Sequence, residues 1–215
     1  MNRQSLGSLL EGLSSCPLRG AADCVPKRLV EDSRQVKAGD VFLARGGEAV
    51  DGRSFIAAAE ASGAAVILSD EHGCSVASGP AIQSSALAYD GAVLAHRLAG
   101  DPSESLAVVG VTGTNGKTTV STVLAGVLGG DGACGLLGGV YRDDGRTRQF
   151  TQLTTPMASE VAMWLSDSMA GGCTRAVMEV SSHALAQQRV AGVRYAAAIF
   201  TNLSGDHLDY HGSME

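Results

Sequence analysis

The sequence feature that most constrains the fold is an apolar run that leads through glycines into a helix-forming segment. Residues 106–111 are almost entirely apolar, as is typical of a buried parallel strand. Glycines stand at positions 110, 113 and 116, and the spacing that follows predicts a helix over residues 117–128. This order is that of a phosphate-binding loop, in which glycines let backbone N–H groups face a phosphate at the start of a helix. The run therefore predicts an α/β fold that binds phosphate.

Two side chains in this run indicate how the phosphates would be held. Lys117 would reach the β- and γ-phosphates, and the hydroxyl of Thr118 would hold Mg²⁺. Val111 occupies a position at which the strict pattern has glycine. The alternative is a glycine-rich turn that binds nothing, but the strand before the loop and the helix after it favour phosphate binding.

The rest of the chain alternates between apolar runs of strand length and segments with helical spacing, which predicts parallel βαβ units. We expect strands over 41–44, 65–68, 106–111, 133–137, 176–180 and 196–201, and helices over 54–62, 85–99, 117–128 and 157–169. A hairpin is expected around residues 143–145. The sequence Gly-Asp-Pro-Ser at residues 100–103 interrupts the pattern, so we predict two domains, over residues 1–100 and 101–215.

Composition excludes several classes of protein. The 215 residues carry a net charge of −6, which disfavours binding to nucleic acid or to an anionic membrane. No stretch approaches the ~20 consecutive apolar residues of a membrane span, and the N-terminus lacks the apolar core of a signal peptide. The cysteines lack metal-binding or redox spacing, so we expect free thiols in a reducing cytoplasm. They are Cys16, Cys24, Cys74, Cys134 and Cys173.

Polar residues follow two other predicted strands. Glu179 lies near the end of the strand over 176–180, where a carboxylate could hold a metal beside the phosphate loop or simply form local hydrogen bonds. Ser181-Ser182-His183 lacks the glycines of a nucleophile elbow, which favours helix-capping or substrate-binding serines over a hydrolase. The strand over 196–201 leads into a loop whose polar residues could ligate a metal, polarise a phosphate or be solvated. They are Asn202, Asp206, His207, Asp209 and His211.

Three segments together resemble the Mur ligase family of peptidoglycan synthesis. They are GTNGKTT at residues 113–119, MEVSSHAL to QRV at residues 178–190, and FTNLSGDHLDYHG at residues 200–212. Residues 31–34, 39–42 and 51–52 are similar to the UDP-binding domain of the same family, so the resemblance begins near residue 29 and reaches the end of the chain. It implies an α/β protein in which a UDP-muramoyl substrate-binding domain precedes a truncated P-loop ATPase domain with a mostly parallel sheet.

The resemblance implies a ligase of cell-wall synthesis, and hence of cell shape and cell division. Such an enzyme uses ATP in the cytoplasm to add a diamino acid, meso-diaminopimelate or L-lysine, to UDP-N-acetylmuramoyl-L-alanyl-D-glutamate through an acyl phosphate. Its partners would be these small molecules, ATP and Mg²⁺, and the complete protein would be a monomer that binds neither nucleic acid nor membrane. A non-catalytic fragment that binds the nucleotide or the UDP-linked peptide is the alternative, and a small P-loop kinase or NTPase is a third hypothesis.

Carried over by position, the resemblance also assigns a role to each matching residue. ATP would be held by Gly113, Thr114, Asn115, Gly116, Lys117, Thr118 and Thr119. Mg²⁺ would lie among Thr118, Glu179 and His207, and catalysis would depend on Lys117, Glu179 and His207. The UDP-muramoyl dipeptide would contact Ser33, Thr154, Thr155, Ser181, Gln187 and Arg189. Glu48-Ala49-Val50 stands in place of the His-Gln-Ala turn with which some members bind the uracil end.

Family members also have two parts that do not match any segment of this chain. One is a C-terminal domain that completes the ATP site and selects the diamino acid, and the other is a carboxylated lysine shortly after the His-rich loop. We therefore expect an incomplete ligase that shows no turnover. We also expect it to associate through an unpaired outer strand of the second sheet.

Overall fold

The chain divides into two compact units in the computed structural model, which describes residues 4–47, 50–130, 133–205 and 207–213. The first unit comprises the chain up to Asp101 together with Met157–Ala162. The second comprises Pro102–Pro156 and the chain from Met163 onward. Each unit contains one sheet in which most neighbouring strands are parallel. The α/β class predicted from the sequence is therefore confirmed.

The first unit is built on a five-stranded sheet. Its strands are β1 (Ser15–Leu18), β2 (Leu29–Val30), β3 (Val41–Ala44), β4 (Val66–Ser69) and β5 (Ala81–Ser84). Its helices are α1 (Leu6–Leu9), α2 (Ile56–Ala61), α3 (Glu71–Val76) and α4 (Leu87–Leu98). The strand order is β1-β5-β4-β3-β2; β1 is antiparallel to β5, and the other neighbours pair in parallel.

Apolar residues on both faces of β3 place that strand inside the first unit. Side chains alternate across a strand, so Val41 and Leu43 pack on one face with Leu94 of α4, while Phe42 packs on the other with Ile56 of α2. A strand that is buried on both faces needs a continuous apolar run, and this is why the sequence pattern identified it.

The second unit contains a six-stranded sheet. Its strands are β6 (Ala107–Thr112), β7 (Cys134–Leu137), β8 (Tyr141–Asp143), β9 (Arg148–Phe150), β10 (Arg175–Glu179) and β11 (Tyr195–Phe200). The helices are α5 (Lys117–Leu128), α6 (Ala158–Ala170, whose first residues belong to the first unit), α7 (Ser182–Ala186) and α8 (Leu208–His211). The strand order is β11-β6-β10-β7-β8-β9, and β8 and β9 form the expected antiparallel hairpin.

The register of three parallel strands decides where the polar segments of the second unit lie. In β10 and β6, Glu179 pairs with Val111, and in β11 and β6, Phe200 pairs with Thr112. Because the three strands run in the same direction and end level with one another, the segments that follow them emerge from the same edge of the sheet. That edge carries the phosphate loop, Glu179 and the loop after Phe200.

The structure departs from the predicted elements mainly where elements are short. The expected helix over 54–62 begins as a 3₁₀ turn, Gly52–Phe55, because Asp51 accepts a hydrogen bond from the Arg53 amide ahead of α2. The polar loop after β11 contains the single turn of α8, which the sequence analysis did not predict. Within the described ranges, no helix is both long and apolar enough to cross a membrane.

Candidate functional site

The loop between β6 and α5 has the geometry expected of a phosphate-binding loop. Gly116 precedes α5 in the left-handed region, with φ of +83°, and no side chain caps the start of this 12-residue helix. A Cβ built on Gly116 would meet nothing within 4 Å, so the loop is open on that side. The uncapped N–H groups of the first turn and the positive end of the helix dipole therefore face a space that an anion can enter.

Gly113 is fixed by its surroundings as well as by its conformation. Its φ is +131°, and a Cβ there would overlap the hydroxyl of Thr201 and lie 2.8 Å from the carbonyl oxygen of Asn202. Only glycine lets the loop approach the segment after β11 this closely. The glycines at 113 and 116 thus serve different purposes, close packing and an open helix start.

Lys117, the first residue of α5, turns back over the loop. Its Nζ donates to the carbonyl oxygens of Gly113 at 2.6 Å and Thr114 at 3.0 Å. This places the ammonium group beside the open start of the helix, where it would add a full positive charge to the partial charges of the amides. The phosphate-binding role of Lys117 stays a prediction.

Glu179, at the end of β10, is a buried carboxylate next to Thr118. The Thr118 hydroxyl donates to Oε2 at 3.0 Å, the Gly139 amide donates to Oε1 at 2.9 Å, and the Ser121 hydroxyl lies 3.4 Å from Oε1. Glu179 is 1% exposed, and all of these partners are uncharged. A buried carboxylate that has no cationic partner among the described residues, and that adjoins a hydroxyl at a helix start, fits the oxygen donor set of Mg²⁺, which is usually completed by phosphate oxygens and water.

Two threonines before α6 occupy different places at this edge. A Cβ built on Gly139 would lie 3.3 Å from the Thr154 hydroxyl and 3.8 Å from that of Thr118, so Thr154 lies beside the proposed metal position. Thr155 is buried, and its hydroxyl donates to the Glu179 carbonyl at 2.9 Å and accepts from the Ser181 amide at 3.0 Å. Its hydroxyl is therefore used inside the protein, where it fixes the end of β10.

The segment after β10 continues this network. Ser181 caps α7 by accepting a hydrogen bond from the Ala184 amide at 3.2 Å, the capping role that the sequence favoured over a nucleophile. Arg189 donates to the Thr155 carbonyl at 2.8 Å and to the Gln187 side chain at 2.6 and 2.9 Å. Ser181, Gln187 and Arg189 are thus brought together around Thr155.

Three histidines and a tyrosine group their rings beside α7. The ring of His183 lies 4.6 Å from that of His207, 5.5 Å from that of His211 and 4.2 Å from that of Tyr210. Desolvation of the ring, together with the neighbouring His207 and His211, lowers the pKa of His183 below its usual range. Within the described ranges, no three His, Cys, Asp or Glu side chains are arranged to hold a metal. Of the three residues predicted around Mg²⁺, Thr118 and Glu179 are adjacent, and His207 lies in the ring cluster beside α7.

The remaining predicted residue, Ser33, belongs to the first unit. It begins a 3₁₀ turn, Ser33–Gln35, ahead of which Asp32 accepts a hydrogen bond from the Arg34 amide. Glu48 and Ala49, in the segment that replaces the His-Gln-Ala turn, lie outside the described residues, as does Asp206.

Sequence analysis did not find every residue of the site. Ser121 follows Thr118 by three residues, so the two share one face of α5, and this spacing was the available signal. Asn202 was noted only as a polar loop residue, but its side chain bonds the backbone of Asn115. No local pattern indicates that contact, because the two residues are 87 positions apart.

Two family models match the chain. The Mur ligase middle domain matches residues 111–215, and the catalytic domain of the Mur ligase family matches residues 29–102. The chain is similar to curated proteins named UDP-N-acetylmuramoyl-L-alanyl-D-glutamate–2,6-diaminopimelate ligase. It is 44% identical to that of Pseudomonas putida over 94% of this chain and 42% of the relative, and 44% identical to that of Gloeobacter violaceus over 87% and 38%. The chain thus spans about two fifths of the length of these relatives.

The chain is also similar to solved structures of ligases of this kind. A UDP-N-acetylmuramoyl-L-alanyl-D-glutamate–2,6-diaminopimelate ligase matches with a TM-score of 0.77 and 30% identity, over 88% of this chain and 39% of the other. The MurF ligase of Thermotoga maritima, solved in complex with ADP, matches with a TM-score of 0.59 and 25% identity, over 89% of this chain and 41% of the other. The second of these solved proteins binds a nucleotide.

Proposed function

Because the chain belongs to the Mur ligase family, we propose that it forms the substrate- and nucleotide-binding part of an ATP-dependent peptide ligase. In this proposal residues 1–100 bind UDP-N-acetylmuramoyl-L-alanyl-D-glutamate, and residues 101–215 bind ATP with Mg²⁺. The names of the relatives support diaminopimelate as the diamino acid that is added, with L-lysine as the alternative. We expect a monomer that acts on small molecules in the cytoplasm.

One observation in particular supports the proposal that the second unit binds ATP with Mg²⁺. The Thr118 hydroxyl at the start of α5 lies 3.0 Å from the buried carboxylate of Glu179, at the sheet edge from which the phosphate loop emerges. A hydroxyl and a carboxylate in this relation to a lysine and an open helix start are the groups that Mg²⁺ and a triphosphate require. A glycine-rich turn that binds nothing does not account for a buried carboxylate that has hydrogen bonds but, among the described residues, no cationic partner.

The proposed reaction uses these groups mainly to stabilise charge. The glutamate carboxylate of the substrate would attack the γ-phosphorus of ATP and displace ADP, which gives an acyl phosphate. The amine of the diamino acid would then add to the acyl carbon, and the tetrahedral intermediate would expel phosphate as the amine loses a proton. Lys117 and the amides at the start of α5 would face the phosphate oxygens, whose charge develops in the first step. Thr118 and Glu179 would hold Mg²⁺, which would supply positive charge that offsets the charge of the phosphates. His207, whose ring lies beside that of His183, is also proposed as a catalytic residue and as a residue of the Mg²⁺ site, as the family resemblance implies.

The proposed substrate contacts fall into two kinds. Thr154 lies beside the proposed metal position and is suited to face the substrate carboxylate directly. Thr155 has its hydroxyl engaged by Glu179 and Ser181, so it would act by holding neighbouring groups in place. The other residues that we propose to contact the UDP-muramoyl dipeptide are Ser33, Ser181, Gln187 and Arg189.

Nucleotide binding can be tested with a matched pair of lysine variants. We expect Lys117→Ala to abolish binding of Mg-ATP in calorimetric titrations, because it removes the one lysine next to the open helix start. Lys37→Ala, which removes an exposed lysine of the first unit, is expected to bind as the parent chain does. Equal affinities for the two variants would contradict the phosphate-loop assignment.

A turnover assay distinguishes the ligase from the alternative, a fragment that binds its ligands without catalysing a reaction. Phosphate release that requires both the UDP-linked dipeptide and diaminopimelate would show an enzyme. Binding of ATP and of the UDP-linked dipeptide with no phosphate release would favour the alternative. An NTPase would release phosphate from ATP without either substrate. A kinase would instead transfer the phosphoryl group to its own acceptor and form ADP without releasing phosphate.

A further inference from the structure

The segment that follows β11 holds the phosphate loop through an unusual set of hydrogen bonds. The Asn202 side chain pairs with the backbone of Asn115: Oδ1 accepts from the Asn115 amide at 3.0 Å, and Nδ2 donates to the Asn115 carbonyl at 2.9 Å. The Asn202 carbonyl accepts from the Thr114 amide at 3.0 Å, and the Thr201 hydroxyl donates to the Asn115 carbonyl at 2.7 Å. One asparagine therefore contacts three consecutive peptide units of the loop.

These contacts fix the direction of each peptide unit. In a trans peptide the N–H and the C=O point in opposite directions, so holding one group orients the other. The amides of Thr114 and Asn115 face Asn202, and the carbonyls on the other side of the same two peptide planes, those of Gly113 and Thr114, accept from Lys117. Asn202 and Lys117 thus form hydrogen bonds with the two peptide planes from opposite sides.

The third peptide plane, between Asn115 and Gly116, has the opposite orientation to the first two. Here the carbonyl of Asn115 faces Asn202 and Thr201, so the N–H of Gly116 must point away from them. The open space around Gly116 lies at the uncapped start of α5. Holding this one carbonyl therefore directs an additional N–H toward the place where the phosphate would bind.

We propose that Asn202 is a positioning residue that sets the peptide planes of the phosphate loop, so that the Gly116 N–H and Lys117 face the phosphates. This inference rests on the nucleotide binding proposed above. The role requires a side chain with one donor and one acceptor at the same reach, which asparagine supplies and aspartate supplies only in part. It is distinct from the roles of metal ligand and phosphate polariser that the sequence suggested for this loop.

A first experiment tests the hydrogen bonds between the Asn202 side chain and Asn115 without any nucleotide, by amide hydrogen exchange measured with NMR. We call these two hydrogen bonds the clamp. Asn202→Ala removes the acceptor for the Asn115 amide, and we expect that amide to exchange about tenfold faster. Asn202→Asp keeps an acceptor oxygen, so the Asn115 amide should remain protected. The Thr114 amide, which bonds the backbone of residue 202, is the internal reference. Equal acceleration of both amides in Asn202→Ala would overturn the clamp, because the whole segment would then have moved.

A second experiment tests the consequence for phosphate binding, using calorimetry with Mg-ADP and with inorganic pyrophosphate. We expect Asn202→Ala to weaken both probes about tenfold, and Asn202→Asp to weaken them further because it adds a negative charge beside the loop. The matched control is Ser103→Ala, since Ser103 accepts a hydrogen bond from the Arg194 amide at the other end of β11. That variant should lose stability without losing affinity.

The outcomes separate this role from the proposed function. If the parent chain binds neither probe, the proposed function is overturned, and the role of Asn202 in phosphate binding with it. If the parent binds and Asn202→Ala binds equally well, the role of Asn202 alone is overturned. If Ser103→Ala weakens binding as much as Asn202→Ala does, the effect is one of general stability and the positioning role is wrong.

Discussion

The sharpest test of the loop geometry is to add a single methyl group at Gly113. Gly113→Ala imposes a conformational cost, because φ is +131°, of about 1–3 kcal/mol. It also forces the new Cβ against Thr201 and to within 2.8 Å of the Asn202 carbonyl, an overpacking that costs about 1–3 kcal/mol more. We expect a total loss of about 2–6 kcal/mol in the unfolding free energy of the second unit. Nucleotide affinity should fall as well, because relief of the overlap displaces the loop.

The chain provides both the probe and the control for this measurement. Trp164 is the single tryptophan, is 3% exposed in α6, and donates from Nε1 to the Asp143 carbonyl at 3.1 Å, so its fluorescence reports urea unfolding of the second unit. Gly172 also has a positive φ, +89°, but a Cβ there would meet nothing within 4 Å. Gly172→Ala should therefore show the conformational cost alone, about 1–2 kcal/mol, with unchanged nucleotide affinity.

The comparison between the two alanine variants decides the question. If Gly113→Ala and Gly172→Ala lose the same stability, the close contact with residues 201 and 202 contributes nothing, and the loop is not held against that segment. If Gly113→Ala loses more stability but binds nucleotide normally, the packing is real and the loop conformation does not matter for binding. Either result would refute the reasoning applied to this glycine.

Three further predictions concern a carboxylate, a buried histidine and an exposed strand. Glu179→Gln should bind ADP without metal at least as tightly as the parent but lose the gain that Mg²⁺ gives, as titrations with and without Mg²⁺ would show. Burial lowers the pKa of His96 to about 4 from the usual 6.5, and neither ring nitrogen has a partner among the described residues. The unfolded chain therefore takes up this proton first as the pH falls, and the first unit should lose up to ~3 kcal/mol between pH 6.5 and 4. Urea unfolding monitored by circular dichroism should show that His96→Leu lacks this part of the pH dependence. At the edge strand β11, Ala198→Lys should reduce concentration-dependent light scattering.

The elements that the sequence predicted well are those that local pattern determines. The predicted bounds of α5 are the observed ones, Lys117 to Leu128, because a glycine starts the helix and glycines follow it. β3 was found because both faces of that strand are buried. β2 has two residues and no periodicity, and it is a strand only because β3 pairs with it. Such elements are produced by tertiary contacts and leave no local signal.

The site was predictable to the extent that strand ends determine it. The rule that parallel strands end at one edge of a sheet was enough to bring Glu179 to the phosphate loop, and the structure places its carboxylate 3.0 Å from the Thr118 hydroxyl. The same rule does not predict which of the two threonine hydroxyls before α6, that of Thr154 or that of Thr155, is free to face a ligand. Thr154 and Thr155 are adjacent in sequence, yet one lies beside Gly139 and the other is buried under Ser181. That difference depends on the path of the chain into α6, which the sequence pattern does not contain.

The balance of charge at the phosphate loop explains why these parts belong together. Lys117 and the helix start attract a polyphosphate, whereas Glu179 adds a negative charge beside the position that the phosphate would take. Burial of that charge is tolerable in the free protein because Thr118, Ser121 and Gly139 supply hydrogen bonds, but none of them neutralises it. Without a cation, binding of a nucleotide would set its phosphates close to the carboxylate of Glu179, and the two would repel each other. In the proposed site, a divalent cation held by Glu179 would offset this repulsion, so metal and nucleotide should each increase the affinity for the other. We infer that the Glu179 carboxylate makes nucleotide affinity depend on the metal. The hydrogen bonds from Asn202, in contrast, hold the peptide planes of the loop in the free protein, without metal or nucleotide.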